Sequence, residues 1–311
     1  MDNIICVAGP TASGKTGLAV ELAKFCGGEV VSCDSMQIYR RMDIGTAKPT
    51  PEETQGIPHH MIDVAEPDED FSVSRYCELA TPMIEDILAR GKTAIVAGGT
   101  GLYMDSLMKG NAFAPFPATG CREKLEQRAD QEGMETLLEE LRAVDPESAE
   151  KLHLSDRKRI IRALEVYQET GDTITAHNKR TQAIPPRFQP LWIGLDFEER
   201  SELYRRIDRR VELMLQAGLI EEIQSLLDSG IPRSCTAMQA IGYKEFVDAL
   251  EGRCTVAEAA AQVQQSSRRY AKRQLTWFRR NPKMNWLVRK TGTTGEEIIA
   301  RACQLARVFD N

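Results

Sequence analysis

The sequence contains no Cys-x-x-Cys pair and no apolar run near the ~20 residues that a membrane-spanning helix needs. No charged-then-apolar leader opens it. Its eight cysteines, Cys6, Cys26, Cys33, Cys77, Cys121, Cys235, Cys254 and Cys303, lack the spacing of a metal site. They read as reduced packing thiols, so a disulfide scaffold, a structural zinc site and a membrane location are all set aside, and a cytoplasmic protein is expected. Neither an internal repeat nor a low-complexity tract is present. Acidic residues are also missing from one long stretch, 259–295, which holds nine basic ones: Arg268, Arg269, Lys272, Arg273, Arg279, Arg280, Lys283, Arg289 and Lys290. With +9 there and −6 overall, the remainder carries −15. The average charge argues against a polyanionic partner, but this segment argues for one, because it concentrates positive potential on one region.

What is present suits a folded enzyme. At 311 residues, 42% hydrophobic and 28% charged, the chain can bury a sizeable core in one large domain or two ordinary ones. A short apolar run, 4–8, reads as a buried strand, followed by a tight loop and a helix with Leu18, Leu22 and Phe25 at helical spacing, closed by Gly27 and Gly28. Runs at 30–33 and 93–97 read as further strands, with a helix over about 72–90 that Pro82 should kink or open. Alternating strands and helices predict a mostly parallel sheet with helices on both faces. Beyond Asn111 the turn-rich segment 113–117 marks a boundary. Amphipathic helices with Leu125, Leu137, Leu138 and Leu141 follow, and then a basic helix over 157–167 ahead of Gly171. The next strand signal is 191–197, and a last one is centred on Trp286. Residues 112–190 are therefore expected to form a helical insertion, with 1–111 and 191–311 forming the α/β core.

Chemistry concentrates after the first strand. Gly9, Pro10, Thr11, Ala12, Ser13, Gly14, Lys15 and Thr16 match the GxxxxGK[ST] phosphate loop, placed between a predicted strand and a helix. Its glycines let backbone N–H groups converge on phosphate oxygens at a helix N-terminus; Lys15 adds a point charge, and the Thr16 hydroxyl suits Mg²⁺. No carboxylate ends the 93–97 strand. Asp34, after the 30–33 strand, is the carboxylate expected beside the loop, as is Thr100, because ligands in parallel sheets bind outside the carboxyl ends of the strands. From the residues alone Asp34 fits a general base, an Mg²⁺ partner or a helix cap. His59 and His60, being adjacent, point differently and are expected to be structural. The Gly98-Gly99-Thr100-Gly101 run lacks the spacing of a dinucleotide fingerprint.

The set GPTASGKT, 34–39, 42–49, 59–63 and 98–103, continued by 159–165, 239–244 and 272–279, resembles the tRNA dimethylallyltransferase family along nearly the whole chain. The resemblance implies a P-loop NTPase-like α/β core with an inserted all-helical domain. It also implies transfer of a dimethylallyl group from dimethylallyl diphosphate to N6 of the adenosine 3′-adjacent to the anticodon in tRNA, with Mg²⁺ and no membrane. The loop would then cradle a diphosphate leaving group rather than ATP, and Asp34, Lys15 and Thr16 would be catalytic. Arg210, with Arg206 as an alternative on the same helical face, would add a diphosphate arginine. The tRNA-side residues implied are Asp34, Ser35, Met36, Gln37 and Thr100; Arg122, Lys158, Arg159, Ile160, Ile161 and Arg162; Gln239, Ala240, Ile241, Gly242, Tyr243 and Lys244; and Lys272, Arg273, Gln274, Leu275, Thr276, Trp277, Phe278 and Arg279. Trp277 and Phe278 fit either base stacking or core packing. A monomer is expected, and without the zinc-finger extension of eukaryotic relatives the chain resembles the bacterial type. The competing readings are a small-metabolite kinase using ATP, a dimethylallyltransferase acting on free adenine nucleotides, and a silent RNA-binding protein. The basic 268–280 stretch and the insertion count against the first two, and Asp34, Lys15 and Thr16 against the third.

Overall fold

The computed structural model describes residues 2–111 and 119–310, so the 113–117 boundary segment lies outside the described residues. In chain order its elements are β1 (Ile4–Ala8), α1 (Lys15–Cys26), β2 (Glu29–Ser32), α2 (Pro51–Thr54), β3 (His59–His60), α3 (Val73–Ala89), β4 (Ala94–Gly98) and α4 (Gly101–Lys109). Five helices follow: α5 (Cys121–Glu132), α6 (Met134–Val144), α7 (Pro146–Glu150), α8 (Arg157–Thr170) and α9 (Ile174–Ala183). The chain continues with β5 (Leu191–Phe197), α10 (Arg200–Gln216), α11 (Leu219–Asp228), α12 (Lys244–Leu250), α13 (Val256–Phe278), β6 (Asn285–Arg289) and α14 (Gly295–Asp310). It forms two compact units, Met1–Gly110 with Arg187–Asn311, and Asn111–Pro186.

The first unit is built on a six-stranded sheet of order β3-β2-β4-β1-β5-β6, with every pair parallel. β1 and β4 are apolar along their whole length because both sheet faces are covered. Ile5, Val7, Ile95, Ile193 and Leu195 pack against Leu18 and Leu22 of α1 and Ile298 and Ala302 of α14. The alternate residues Ile4, Cys6, Ala94 and Val96 are equally buried, on the side where α3 and α4 pack. Register decides where the chemistry sits. Ala8 stands opposite Gly98, and Ser32 opposite Ala97, so the loops leaving β1, β2 and β4 emerge side by side at the carboxyl edge.

The helix over 73–89 runs through Pro82 rather than starting there, capped by the Ser72 hydroxyl. The two-residue edge strand β3 carries no apolar run and gives no sequence signal. His60 Nε2 pairs with buried Glu29 at 2.8 Å and His59 Nδ1 meets the Ile57 carbonyl, so both histidines are structural. Arg90 and Lys92 also hold Glu29, and together these partners keep its carboxyl far below the usual range. A second core joins Ile38, Tyr39 and Met42 to α11, α12 and the start of α13, and it anchors the loop after β2. The second unit packs Leu125, Leu137, Leu141, Ile160, Ile161 and Leu164 into its own core. Arg187–Pro190 lie with the first unit, where the Arg187 and Phe188 N–H groups donate to the Lys109 and Met108 carbonyls.

Candidate active site

The phosphate loop turns out of β1 at Gly9 and enters α1 through Gly14, whose φ of 91° lies in the left-handed region that favours glycine. The first-turn N–H groups of α1 have no intrahelical acceptor and face outward at the positive end of the helix. Lys15 Nζ donates to the Pro10 carbonyl at 2.7 Å, folding the ammonium back over the loop. Burial and the neighbouring Arg210 bring Lys15 down to about 8, opposed by Asp34. Arg210 donates to Thr11 Oγ1 at 3.2 Å, and Arg206 to the Ala12 carbonyl at 2.9 Å. Both arginines of the predicted pair therefore reach the loop. Burial lowers Arg210 as well, again opposed by Asp34. Ser13 Oγ is buried without a hydrogen-bond partner. A loop with three adjacent cations and an orphaned hydroxyl is built to receive an anion.

Across from it stands the carboxylate. One Asp34 oxygen accepts the Met36 N–H at 2.9 Å, a local turn that fixes the side chain. Thr100 Oγ1 accepts the Ser35 N–H at 3.0 Å, and the Thr100 N–H donates to the Cys33 carbonyl. The β2 and β4 loops are thereby joined at the residue beside Asp34. The Gln37 amide is committed internally, accepting from the Ser32 hydroxyl and donating to the Thr46 and Ala47 carbonyls. Beyond it, Lys48 is gripped by the Tyr39 carbonyl and by Asp43 and Asp63, each at 2.6 Å. Glu222 of α11 accepts the N–H groups of Asp43, Ile44 and Gly45 and the Tyr243 hydroxyl.

The inner face of α13 closes the site. Gln274 accepts the Thr11 N–H at 2.9 Å and donates to the Gly99 carbonyl at 3.0 Å. Tyr270 lies one turn earlier; burial and the Asp34 charge push its hydroxyl up to about 12, opposed by neighbouring Thr100 and Gln274. Trp277 donates its indole N–H to Asp105 at 2.9 Å and packs where a Cβ on Gly101 would stand.

The IPP transferase family model matches residues 37–281. The tRNA dimethylallyltransferase of Acetivibrio thermocellus is 47% identical over 96% of this chain and 96% of its own. This chain belongs to the IPP transferase family. Among the solved structures, the tRNA isopentenylpyrophosphate transferase of Bacillus halodurans matches with a TM-score of 0.73 and 40% identity, covering 100% of this chain and 99% of that one. A eukaryotic dimethylallyltransferase described as acting on tRNA matches with a TM-score of 0.78 and 30% identity over 93% of this chain and 74% of its own. Family membership sets aside the kinase reading.

The segments that the family resemblance puts against RNA divide sharply by burial. Ile160 and Ile161 fill the helical unit's core, Leu275 and Phe278 that of the α/β unit, and Tyr243 sits under Gly45; Gln274 and Gly242 are buried too. These positions pack into the fold, and half-buried Trp277 lies against Gly101. Lys158, Arg159, Lys244, Lys272, Arg273 and Arg279 are exposed, with Arg159 having 73% of its side chain open beside Asp156. Arg122 and Arg162 share Glu165, each at 2.8 Å. The nine-cation segment is also partly neutralised: Arg268 pairs with Asp208, and Arg279 with buried Asp196. Tyr270 and Glu222 carry no motif signal. The only sequence hint for Tyr270 is its four-residue spacing from Gln274, and Glu222 acts on a loop about 180 residues away.

Proposed function

We propose that this transferase moves the dimethylallyl group from dimethylallyl diphosphate to N6 of the adenosine 3′-adjacent to the anticodon in tRNA. One observation carries this reading: the Asp34 carboxylate faces a phosphate loop in which Lys15, Arg206 and Arg210 gather. The allylic C–O bond breaks and its electron pair leaves on diphosphate. There the α1 amides, Lys15, Arg210 and the Ser13 hydroxyl meet the developing charge. The adenine amine attacks the allylic carbon and loses a proton to Asp34 as the C–N bond forms, which offsets the weak nucleophilicity of a delocalised amine. A base stacked in a loop cannot reach this carboxylate, so the adenosine is extruded into the site.

Among the described residues no cluster of three or more His, Cys, Asp or Glu forms a metal cage. Thr16 at the head of α1, with Asp34 near, fits Mg²⁺ held mainly through diphosphate oxygens, where it would neutralise leaving-group charge. The exposed cations of α8 and α13 grip RNA phosphates. The protein is read as a monomer working in the cytoplasm, where tRNA is found, and no described helix is long and apolar enough to cross a membrane. The test is incubation with tRNA and either dimethylallyl diphosphate labelled in its allyl group or ATP labelled in its γ-phosphate. Allyl label appearing in tRNA is expected. Phosphoryl transfer to any acceptor, with no allyl transfer, would overturn the reading.

A further inference from the structure

Gln274 falls in a segment that the family resemblance assigns to RNA contact, yet it is only 5% exposed and both ends of its amide are used inside the protein. Oε1 accepts a hydrogen bond from the N–H of Thr11, the third residue of the phosphate loop, and Nε2 donates one to the carbonyl of Gly99. A Cβ on Gly99 would overlap Nε2, so any larger residue there would displace this amide. Each anchor leads directly to chemistry. The Thr11 hydroxyl is the acceptor for Arg210, and Gly99 precedes Thr100, which holds Ser35 next to Asp34. A single buried amide therefore bridges the anion-binding side and the proton-accepting side of the site. An amide has one donor end and one acceptor end, and this pair of contacts uses both, so the bridge works in one orientation only.

We infer that Gln274 is a positioning residue that holds the phosphate loop in register with the Asp34 and Thr100 loops and makes no contact with tRNA. The inference rests on the transferase reading for its kinetic consequence but not for its structural one. Gln274→Ala strands the half-buried Thr11 N–H and the buried Gly99 carbonyl. Freed, Thr11 no longer presents its hydroxyl to Arg210 in a fixed place. Gln274→Glu keeps the acceptor for Thr11 but can donate to Gly99 only when its carboxyl is protonated.

The experiment compares the full-length chain with both variants by four measurements: affinity for inorganic pyrophosphate, kcat and KM for dimethylallyl diphosphate, tRNA affinity across a salt series, and thermal unfolding. For Gln274→Ala, pyrophosphate affinity and kcat should each fall about fivefold or more, the order of effect a stranded buried polar group produces. Its tRNA affinity and salt slope should stay within about twofold of wild type. For Gln274→Glu, the ratio of variant to wild-type kcat should climb as pH falls and the carboxyl takes up a proton. A merely structural role would lower the unfolding temperature and leave that ratio flat with pH. A weakening of tRNA binding as large as the loss of transfer would overturn the inference, as would unchanged pyrophosphate affinity and kcat in Gln274→Ala. If Gln274→Ala does not fold, the pH ratio of Gln274→Glu decides. If wild type transfers no allyl group at all, the transferase reading fails, and the pyrophosphate arm still decides whether Gln274 sets the loop.

Discussion

Lys15 carries the sharpest electrostatic consequence of the site. Burial and Arg210 hold its ammonium down to about 8, so an anion-free loop loses this charge as pH rises through that value. A bound diphosphate favours the charged form and must raise the value again. Binding of inorganic pyrophosphate is therefore predicted to take up protons near pH 8 and to weaken above it. Titration calorimetry in buffers of different ionisation enthalpy reads the uptake, and Lys15→Arg should abolish it because a guanidinium stays charged. Asp34→Asn is predicted to slow transfer about 10²–10⁴-fold while tRNA binding is kept, since an amide cannot accept the N6 proton. Turnover near wild type would reduce Asp34 to the turn-forming role its bond to Met36 also serves. Lys15 was legible in the sequence because its motif is local, with strand, glycine loop and helix consecutive; Asp34 was legible only as a carboxylate at the end of the 30–33 strand, its role coming from the family resemblance. Tyr270 and Gln274 act on residues more than 160 positions away, and only the packing of α13 against the loops reveals that.

At the scale of elements, the buried strands were readable because residues covered on both faces must be apolar, as β1, β4 and β5 are throughout most of their length. The edge pair His59 and His60 was not readable, because two polar residues joined to β2 by backbone bonds carry no such pattern. The segments assigned to RNA contact by resemblance mix buried and exposed positions for a related reason. A helix has two faces, so the contiguous ranges 158–162 and 272–279 mix core with surface. The clamp formed by α11 on the loop after β2 makes this testable. Tyr243 lies in a segment matched to RNA contact, but its hydroxyl donates to Glu222 at 2.7 Å beneath Gly45. Tyr243→Phe removes one hydrogen bond to a carboxylate, so unfolding stability is predicted to fall by about 1.5–3 kcal/mol with tRNA affinity unchanged. Urea denaturation and filter binding check the two halves separately. Glu222 keeps its three backbone donors in that variant, so the loop should hold.

Over the whole molecule, a formal charge of −6 conceals a basic surface, and RNA binding is the property that this asymmetry should govern. Cations that grip phosphates release counterions, so tRNA affinity should fall linearly with log salt. Arg159→Ala and Lys272→Ala, both at exposed positions, should each make that slope shallower by about 0.7–0.9, equally for cognate and non-cognate tRNA. Arg268→Ala should change it far less, because Asp208 already occupies that guanidinium. Identical slopes in all three variants would mean that these cations serve solubility alone. The central claim, that a phosphate loop here stabilises a leaving group while one carboxylate deprotonates an adenosine amine, has a more direct test. Unmodified tRNA incubated with dimethylallyl diphosphate is digested to nucleosides, and the adenosine 3′ to the anticodon is weighed by mass spectrometry with wild type and with Asp34→Asn. The account predicts one dimethylallyl group on N6 of that adenosine with wild type, and a far slower appearance with Asp34→Asn. An adenosine left unmodified by folded, RNA-bound wild type would contradict it, and so would equal rates for the two proteins.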